Sequence, residues 1–351
     1  MRNLIDILDF DADELSALIK TAEDIMSHPE KYRDACRHKI LGTLFFEPST
    51  RTRLSFESAM LGLGGNVLGF SDSSSSSVSK GESVSDTVAV VSGYCDIIAM
   101  RHPMEGAPYP ALRHSAVPVI NAGDGGHYHP TQTLADLMTI HRHKESFENL
   151  TVAFCGDLKY GRTVHSLISA LARYSGVRFI LISPAELKLP DFAKNGIAYA
   201  ETTSLEEGIH AADVLYMTRV QKERFADSAE YERLKNVYVL DGEKLKLAKP
   251  DLIVMHPLPR VGEISADVDD DPRACYFEQT RCGRFMRMAL ILQLLSETSK
   301  PDVKRMANSF ETGGRQCKNP RCITSCEHEL AHMFYTDVNG IVRCSYCDMS
   351  C

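Results

Sequence analysis

The chain has 351 residues, 44% of them hydrophobic and 25% charged, with a formal net charge of −8 at pH 7. A single hydrophobic core stops growing at roughly 250 to 300 residues, so more than one domain is expected. No apolar run of about 18 residues could span a bilayer, and the acidic balance argues against a nucleic-acid surface, which needs clustered Lys and Arg. The N-terminus, Met1-Arg2-Asn3-Leu4-Ile5-Asp6, lacks the apolar core of a signal peptide, which predicts cytoplasmic residence.

Short runs rich in Val, Ile and Phe predict strands at 39–46, 67–70, 96–100, 117–121, 151–155, 177–182, 214–217, 237–240 and 252–255. Between them, apolar residues at helical spacing predict helices at 54–61, 84–94, 131–143, 163–174 and 204–212. This alternation is that of an α/β protein whose parallel sheets are covered on both faces. Charge interrupts the pattern at 144–149, which divides the chain into α/β domains at 1–145 and 146–283. A last helix over 284–298, apolar nearly all round, is expected to complete the first domain. Residues 299–316 are polar, hold Gly313-Gly314 and show no strand pattern, so they read as a connector to a small module over 317–351. The serine-rich stretch 71–79, ending in Lys80-Gly81-Glu82, could be a linker. Its place inside the repeating pattern favours a loop between a strand and a helix.

Of the 11 cysteines, Cys317, Cys322, Cys326, Cys344, Cys347 and Cys351 crowd the last 35 residues. The spacing Cys317-x4-Cys322-x21-Cys344-x2-Cys347 is that of a two-knuckle tetrahedral site for a structural Zn2+. A module this short cannot bury enough core unaided, so the metal would supply much of its folding energy. Cys326, His328, His332 and Cys351 stand as substitute ligands.

Phe45-Phe46-Glu47-Pro48-Ser49-Thr50-Arg51-Thr52-Arg53 marks the passage from a strand into a helix. Free N–H groups there, with the hydroxyls of Ser49, Thr50 and Thr52 and the Arg51 guanidinium, would form a phosphate cradle; on the residues alone an ordinary Ser/Thr N-cap with two solvated arginines fits as well. Arg51 and Arg53 cannot point the same way, so Arg53 is expected to pair with a carboxylate. The turn at 121–126 lacks the Gly-x-Gly-x-x-Gly spacing of a dinucleotide site, and the turn at 156–162, lacking the phosphate-lysine motif of a nucleotide site, instead projects Arg162 beyond a strand end.

Ser49-Thr50-Arg51-Thr52-Arg53 resembles the carbamoyl phosphate signature of the aspartate and ornithine carbamoyltransferases. The resemblance continues through Met100-Arg101-His102-Pro103, Asn121-Ala122-Gly123-Asp124-Gly125, His129-Pro130-Thr131-Gln132, 156–163, 216–221 and His256-Pro257-Leu258-Pro259-Arg260, and covers about residues 1–300. Pro257-Leu258 and Arg219-Val220-Gln221 look like the aspartate branch, and a dicarboxylate acceptor suits two guanidinium groups as a cationic one does not.

The resemblance implies a cofactor-free transfer of the carbamoyl group from carbamoyl phosphate to L-aspartate in pyrimidine biosynthesis. It implies that Ser49, Thr50, Arg51, Thr52, Arg101, His129 and Gln132 hold carbamoyl phosphate, with Thr52, Arg101 and His129 directed at the carbonyl oxygen. Lys80, Arg162, Arg219, Gln221, Pro257 and Leu258 would bind aspartate. In the family the lysine at Lys80 reaches a neighbouring subunit's site, so a homotrimer with shared active sites is implied. The serine preceding it would be Ser76 or Ser77. Residues 317–351 are similar to the zinc domain of the separate regulatory chain of these enzymes, which implies a role in assembly beyond one trimer. Two rival readings are a regulatory subunit on an inactive transferase scaffold, disfavoured by the intact arginines, and a nucleic-acid-binding zinc ribbon. The latter is disfavoured by Glu327, Glu329, Asp337 and Asp348.

Overall fold

The structure is a computed structural model and describes residues 2–72, 80–220, 228–235, 237–297, 309–311, 314–337 and 339–350. Ser76, Ser77, Gln221, Cys351 and most of the expected connector lie outside them. The chain forms two compact units, Met1–Thr131 with Arg284–Cys351, and Gln132–Gly283. The division falls inside two helices, some thirteen residues before the charged stretch at 144–149 that suggested a boundary.

The first unit is built on a parallel sheet of β1 (Ile40–Phe45), β2 (Asn66–Phe70), β3 (Ile97–His102) and β4 (Val119–Asp124), in the order β2-β1-β3-β4. Its helices are α1 (Ala12–Ser27), α2 (Pro29–Tyr32), α3 (Thr50–Gly62), α4 (Val84–Val91) and α5 (Pro108–Leu112). Periodicity alone did not single out α1, yet its start is written in the sequence. Asp11 accepts from the Glu14 N–H and Glu14 reaches back to the Asp11 N–H, a reciprocal capping box that satisfies two orphan donors.

α6 (Pro130–Lys144) begins in the first unit and continues in the second, which holds a parallel sheet of β5 (Thr151–Cys155), β6 (Arg178–Ile182), β7 (Ala198–Thr202), β8 (Val214–Met217) and β9 (Ile253–Met255). The order is β7-β6-β5-β8-β9, with α7 (Arg162–Leu171), α8 (Leu205–Ala211), α9 (Ser228–Leu234) and α10 (Gly242–Leu245) among the connections. Two expectations need correction here. The run at 237–240 is no sheet strand: only Leu240 forms an isolated bridge, to Ile264, and Val237 is exposed. β7 went unread because, as an edge strand exposed along most of its length, it has no run of Val, Ile or Phe. The last helix, α11 (Tyr276–Ser296), starts a full two turns before the expected 284.

The C-terminal segment adds an antiparallel sheet of β10 (Phe310–Glu311), β11 (Met333–Thr336) and β12 (Val342–Cys344). β10 lies in the expected connector, where two residues are too few to leave a pattern, so pairing with β11 alone creates it. This module is not autonomous. Cys322, Ile323, Cys344, Tyr346 and Cys347 belong to the same buried cluster as Leu44, Val88, Met100 and Tyr109 of the first unit. Backbone bonds fasten the edge, Glu105 N–H to the Arg321 carbonyl (2.7 Å) and Ile323 N–H to the Glu105 carbonyl (2.9 Å). The Glu327 carboxylate accepts from the Val84 N–H at 2.6 Å, and Asn319 Nδ2 donates to Glu105 at 2.6 Å.

Gly106 marks how close this docking is. Its φ is +80°, and a Cβ there would lie 2.5 Å from the Tyr346 carbonyl oxygen. Gly106→Ala is therefore expected to destabilise the folded chain by about 2 kcal/mol or more, through both backbone strain and the clash. Urea denaturation and protease sensitivity of the tail measure it. A variant with wild-type midpoint and an equally protected tail contradicts the close docking.

Candidate active site

In the first unit the turn at 46–53 follows β1 directly. Ser49 occupies the N-cap of α3 but makes no side-chain cap bond, so its hydroxyl is not committed to the helix. Arg53 N–H is bonded to the Ser49 carbonyl at 3.1 Å, while the N–H groups of the first turn before it are those a helix cannot satisfy internally. Hydroxyls, orphan donors and the positive end of a 13-residue helix thus coincide at 49–52, which suits an anion. Arg53 turns away as expected and pairs with Glu57, Nε to Oε1 at 2.7 Å. Arg51 is exposed.

β3 runs beside β1, and the Phe46 N–H bonds to the Arg101 carbonyl at 2.8 Å, which places Arg101 beside this turn. Its guanidinium is largely buried. It holds Glu47 at 2.7 Å and the Ala122 carbonyl at 3.4 Å, and its Nε is buried with no hydrogen-bond partner. Burial pulls the Arg101 pKa below the ordinary guanidinium value, with the Glu47 carboxylate opposing the shift. A buried cation with an idle donor beside an anion-binding turn is what an anionic ligand would complete.

β4 leads into a turn closed by Asp124. The Asp124 carboxylate accepts from Asn121 Nδ2 (2.9 Å), the Gly106 N–H (2.8 Å), the Tyr128 N–H (3.0 Å) and His127 Nδ1 (2.9 Å). His129 follows this turn, buried, with its Nδ1 3.5 Å from the Thr131 hydroxyl. Arg287 of α11 donates to Thr131 (3.5 Å) and Ser55 (3.1 Å). Sequence reasoning missed both Asp124 as the organiser of this turn and Arg287, which reads as one more helix charge. Lys80 is exposed, just past the undescribed serines.

Gln132 falls in the second unit. Its Nε2 donates to Asp136 at 2.8 Å, and that buried carboxylate also accepts from Gln279 (2.6 Å) and Tyr216 (3.0 Å). Also in this unit, Arg162 is the first residue of α7 and Arg219 follows β8. The ends of β5 and β8 are locked together: Asp157 N–H donates to the Thr218 hydroxyl at 2.9 Å and Thr218 N–H to the Cys155 carbonyl at 2.8 Å. Gly156 is required there, since at φ +116° its Cβ would meet the Thr218 carbonyl oxygen at 2.3 Å. Beyond β9, Leu258 holds a φ of +50°, a strained conformation for a bulky residue and one that clusters at functional sites. His256 secures it. Its Nδ1 accepts from the Leu258 N–H at 2.8 Å, so the ring proton sits on Nε2, which bonds Glu263 at 2.6 Å.

The four predicted metal ligands converge. Cys317, Cys322, Cys344 and Cys347 place their sulfurs within 4.8 Å of one another, with Cys317 to Cys347 at 3.6 Å and Cys322 to Cys344 at 3.8 Å. Disulfide sulfurs would lie at about 2 Å. Four thiolates tetrahedral about a metal at about 2.3 Å would lie about 3.8 Å apart, which the observed spacing matches. Thr324 donates its hydroxyl to Cys322 Sγ at 3.2 Å, a contact that orients a thiolate ligand. Two of the substitutes have other bonds: Cys326 Sγ donates to the Ile323 carbonyl, and His332 Nδ1 accepts from the Cys317 N–H.

The chain belongs to the aspartate/ornithine carbamoyltransferase family, whose carbamoyl-P binding domain matches residues 2–142 and whose Asp/Orn binding domain matches residues 148–294. Among its relatives, the aspartate carbamoyltransferase catalytic subunits of Clostridium novyi (strain NT) and Clostridium botulinum (strain Loch Maree / Type A3) are 61% and 57% identical over 299 and 300 residues. Each alignment covers 84% of this chain and 98% of the relative. Among solved structures, the catalytic subunit of M. jannaschii aspartate transcarbamoylase is similar with a TM-score of 0.79 at 47% identity, covering 85% of this chain and 99% of that one. Trypanosoma cruzi aspartate transcarbamoylase in complex with carbamoyl phosphate and aspartate matches with a TM-score of 0.79 at 38% identity, covering 84% and 97%. These relatives agree with the aspartate branch read from Pro257-Leu258 and Arg219-Val220. The matched family domains end at residue 294, so the four-cysteine module lies beyond them.

The His256–Glu263 pair sets a pH dependence. Burial works to raise the Glu263 pKa, but bonds from His256 and the Gly262 N–H outweigh it and bring the value down to about 2 from 4.5. A depressed carboxylate stabilises the fold above its unfolded pKa and loses that contribution as pH falls from about 4.5 through about 2. Glu263→Gln is expected to cost on the order of 3 kcal/mol at pH 7 and to flatten this part of the acid-unfolding curve. Urea midpoints measured between pH 7 and pH 2.5 test it, and an unchanged acid slope in the variant removes Glu263 from the account.

Proposed function

We propose that the chain is the catalytic chain of an aspartate carbamoyltransferase, which forms N-carbamoyl-L-aspartate and phosphate from carbamoyl phosphate and L-aspartate in pyrimidine biosynthesis. The observation that carries this reading is the 49–53 turn, with its uncommitted Ser49 hydroxyl and helix N-terminus beside the buried Arg101. Carbamoyl phosphate already carries a good leaving group, so positioning two anions and stabilising an oxyanion suffices. Ser49, Thr50, Thr52 and Arg51 hold the phosphate, and Arg51 offsets its growing charge as it leaves. Thr52, Arg101 and His129 direct donors at the carbonyl oxygen, and the Gln132 amide oxygen accepts from the carbamoyl NH2. The aspartate amine, held by the carbonyls of Pro257 and Leu258, attacks the carbonyl carbon. The bond between the carbonyl carbon and the bridging oxygen breaks, that oxygen leaves with phosphate, and phosphate takes the amine proton. Arg162, Arg219 and Gln221 bind the two aspartate carboxylates. The domains serve these roles as 1–145 with 284–298 for carbamoyl phosphate and 146–283 for aspartate.

Lys80 acts in a neighbouring subunit's site, which makes the working form a homotrimer in the cytoplasm. Purified protein is expected to carbamoylate L-aspartate and not L-ornithine, and Arg51→Ala to lose turnover by orders of magnitude with the fold intact. His129→Ala should lose about 10²-fold. Mixing inactive Arg51→Ala and Lys80→Ala chains should restore part of the activity, because some mixed sites receive both residues. Ornithine carbamoylation, or mixed trimers without activity, contradicts the branch or the shared site respectively.

The 317–351 module holds a structural Zn2+ on Cys317, Cys322, Cys344 and Cys347 and resembles the zinc domain of the separate regulatory chain. It promotes assembly of trimers into larger particles. Metal analysis is expected to find about one zinc per chain, and a chain ending near residue 309 to sediment as a trimer that keeps part of its activity, without higher assembly. Zinc-free protein, or a truncated chain that sediments like the full one, rejects the corresponding half.

A further inference from the structure

The loop that delivers His129 is gripped from outside the transferase fold. Asp348 follows the ligand Cys347, and its own N–H bonds the Cys344 carbonyl at 3.0 Å, so it sits on the second cysteine knuckle. Its backbone is held at φ +61°, with Arg343 bonding its carbonyl at 3.1 Å. From there its carboxylate meets His127 Nε2 at 3.0 Å and the Tyr128 hydroxyl at 2.6 Å, while Tyr335 donates to its other oxygen at 2.7 Å. His127 is thereby fixed at both ring nitrogens, since Nδ1 bonds Asp124. Its ring packs against that of Tyr128 with centroids 3.8 Å apart. The two residues immediately before His129 are thus tied to the metal module by side-chain bonds that burial strengthens.

We infer that Asp348 is a positioning residue for carbamoyl transfer: it fastens the 124–128 turn to the cysteine knuckle and thereby holds the His129 imidazole at the carbonyl oxygen. The inference rests on the assignment of His129 made above. It gives the module a task within its own chain, separate from assembly. A mere docking contact would not need to bond two consecutive residues of the turn that precedes His129. Those bonds matter because a small displacement of a catalytic donor costs rate steeply.

The test compares full-length Asp348→Ala, Asp348→Asn and Tyr128→Phe with His129→Ala and the double variant Asp348→Ala/His129→Ala. Asp348→Ala is expected to lower kcat by about tenfold or more with the KM for aspartate changed less than about twofold. Asp348→Asn, which keeps one acceptor oxygen, should recover much of that loss, and Tyr128→Phe should lose less than Asp348→Ala. The double variant should be no slower than His129→Ala alone, because a displaced imidazole cannot be lost twice. Hydrogen exchange over 124–129 should rise in Asp348→Ala while that of β5 and β6 stays at the wild-type rate. Wild-type kcat in Asp348→Ala alongside an impaired His129→Ala overturns this inference and leaves the His129 assignment standing. Wild-type kcat in His129→Ala overturns both. Additive losses in the double variant, or a slow Asp348→Ala with unchanged exchange at 124–129, also overturn it. If Asp348→Ala fails to fold, Tyr128→Phe decides, and wild-type kcat with unchanged exchange at 124–129 in that variant rejects the role.

Discussion

Every pairing in the two larger sheets is parallel, and that constraint organises everything functional in the chain. Parallel strands bring all their carboxyl ends to one edge, so residues far apart in sequence meet there without any local signal joining them. In the order β2-β1-β3-β4 the connection reverses between β1 and β3, and the crevice at such a reversal is where ligands bind. The 49–53 turn follows β1, and Arg101 is the penultimate residue of β3. In the order β7-β6-β5-β8-β9 the reversal falls between β5 and β8, and the turns carrying Arg162 and Arg219 leave those two strands.

The same geometry explains where glycine and strain are tolerated. At the β5–β8 reversal Gly156 lets two backbones approach closer than any side chain permits, and Leu258 accepts a positive φ because His256 and Glu263 hold it. Such conformations persist only where surrounding bonds over-determine them. The anion-binding side works differently, by leaving groups uncommitted: the Ser49 hydroxyl does not cap and Arg101 Nε has no partner. One unit thus holds its strain in backbone shape and the other holds unspent donors.

The four-cysteine module extends the core of the first unit and does not form one of its own. With Ile323, Tyr346 and three of its cysteines in the cluster that holds Leu44 and Met100, its apolar burial is shared with the sheet that carries the anion turn. Its short strands and few large apolar residues could not offset the ordering of the segment alone. Burial against the first unit supplies what the segment cannot bury alone.

The sequence by itself determined the strand and helix alternation, the anion turn, the arginines beyond the strand ends and the four cysteines, because each rests on local spacing or on residue chemistry. It also specified that Arg53 must seek a carboxylate, since two arginines one residue apart cannot share a pocket; Glu57 is the partner. Edge and pairing features were illegible. β7 is exposed, β10 is two residues long and exists only because β11 lies beside it, and the run at 237–240 has strand composition without a strand to pair with. Nor could spacing disclose that Asp124 gathers four donors, that Arg287 reaches Ser55 and Thr131, or that Asp348 bonds His127 and Tyr128 across more than 200 residues of chain. Those choices were made by tertiary packing, since a buried charge takes whichever partner the fold brings within bonding distance, and sequence separation does not record that distance.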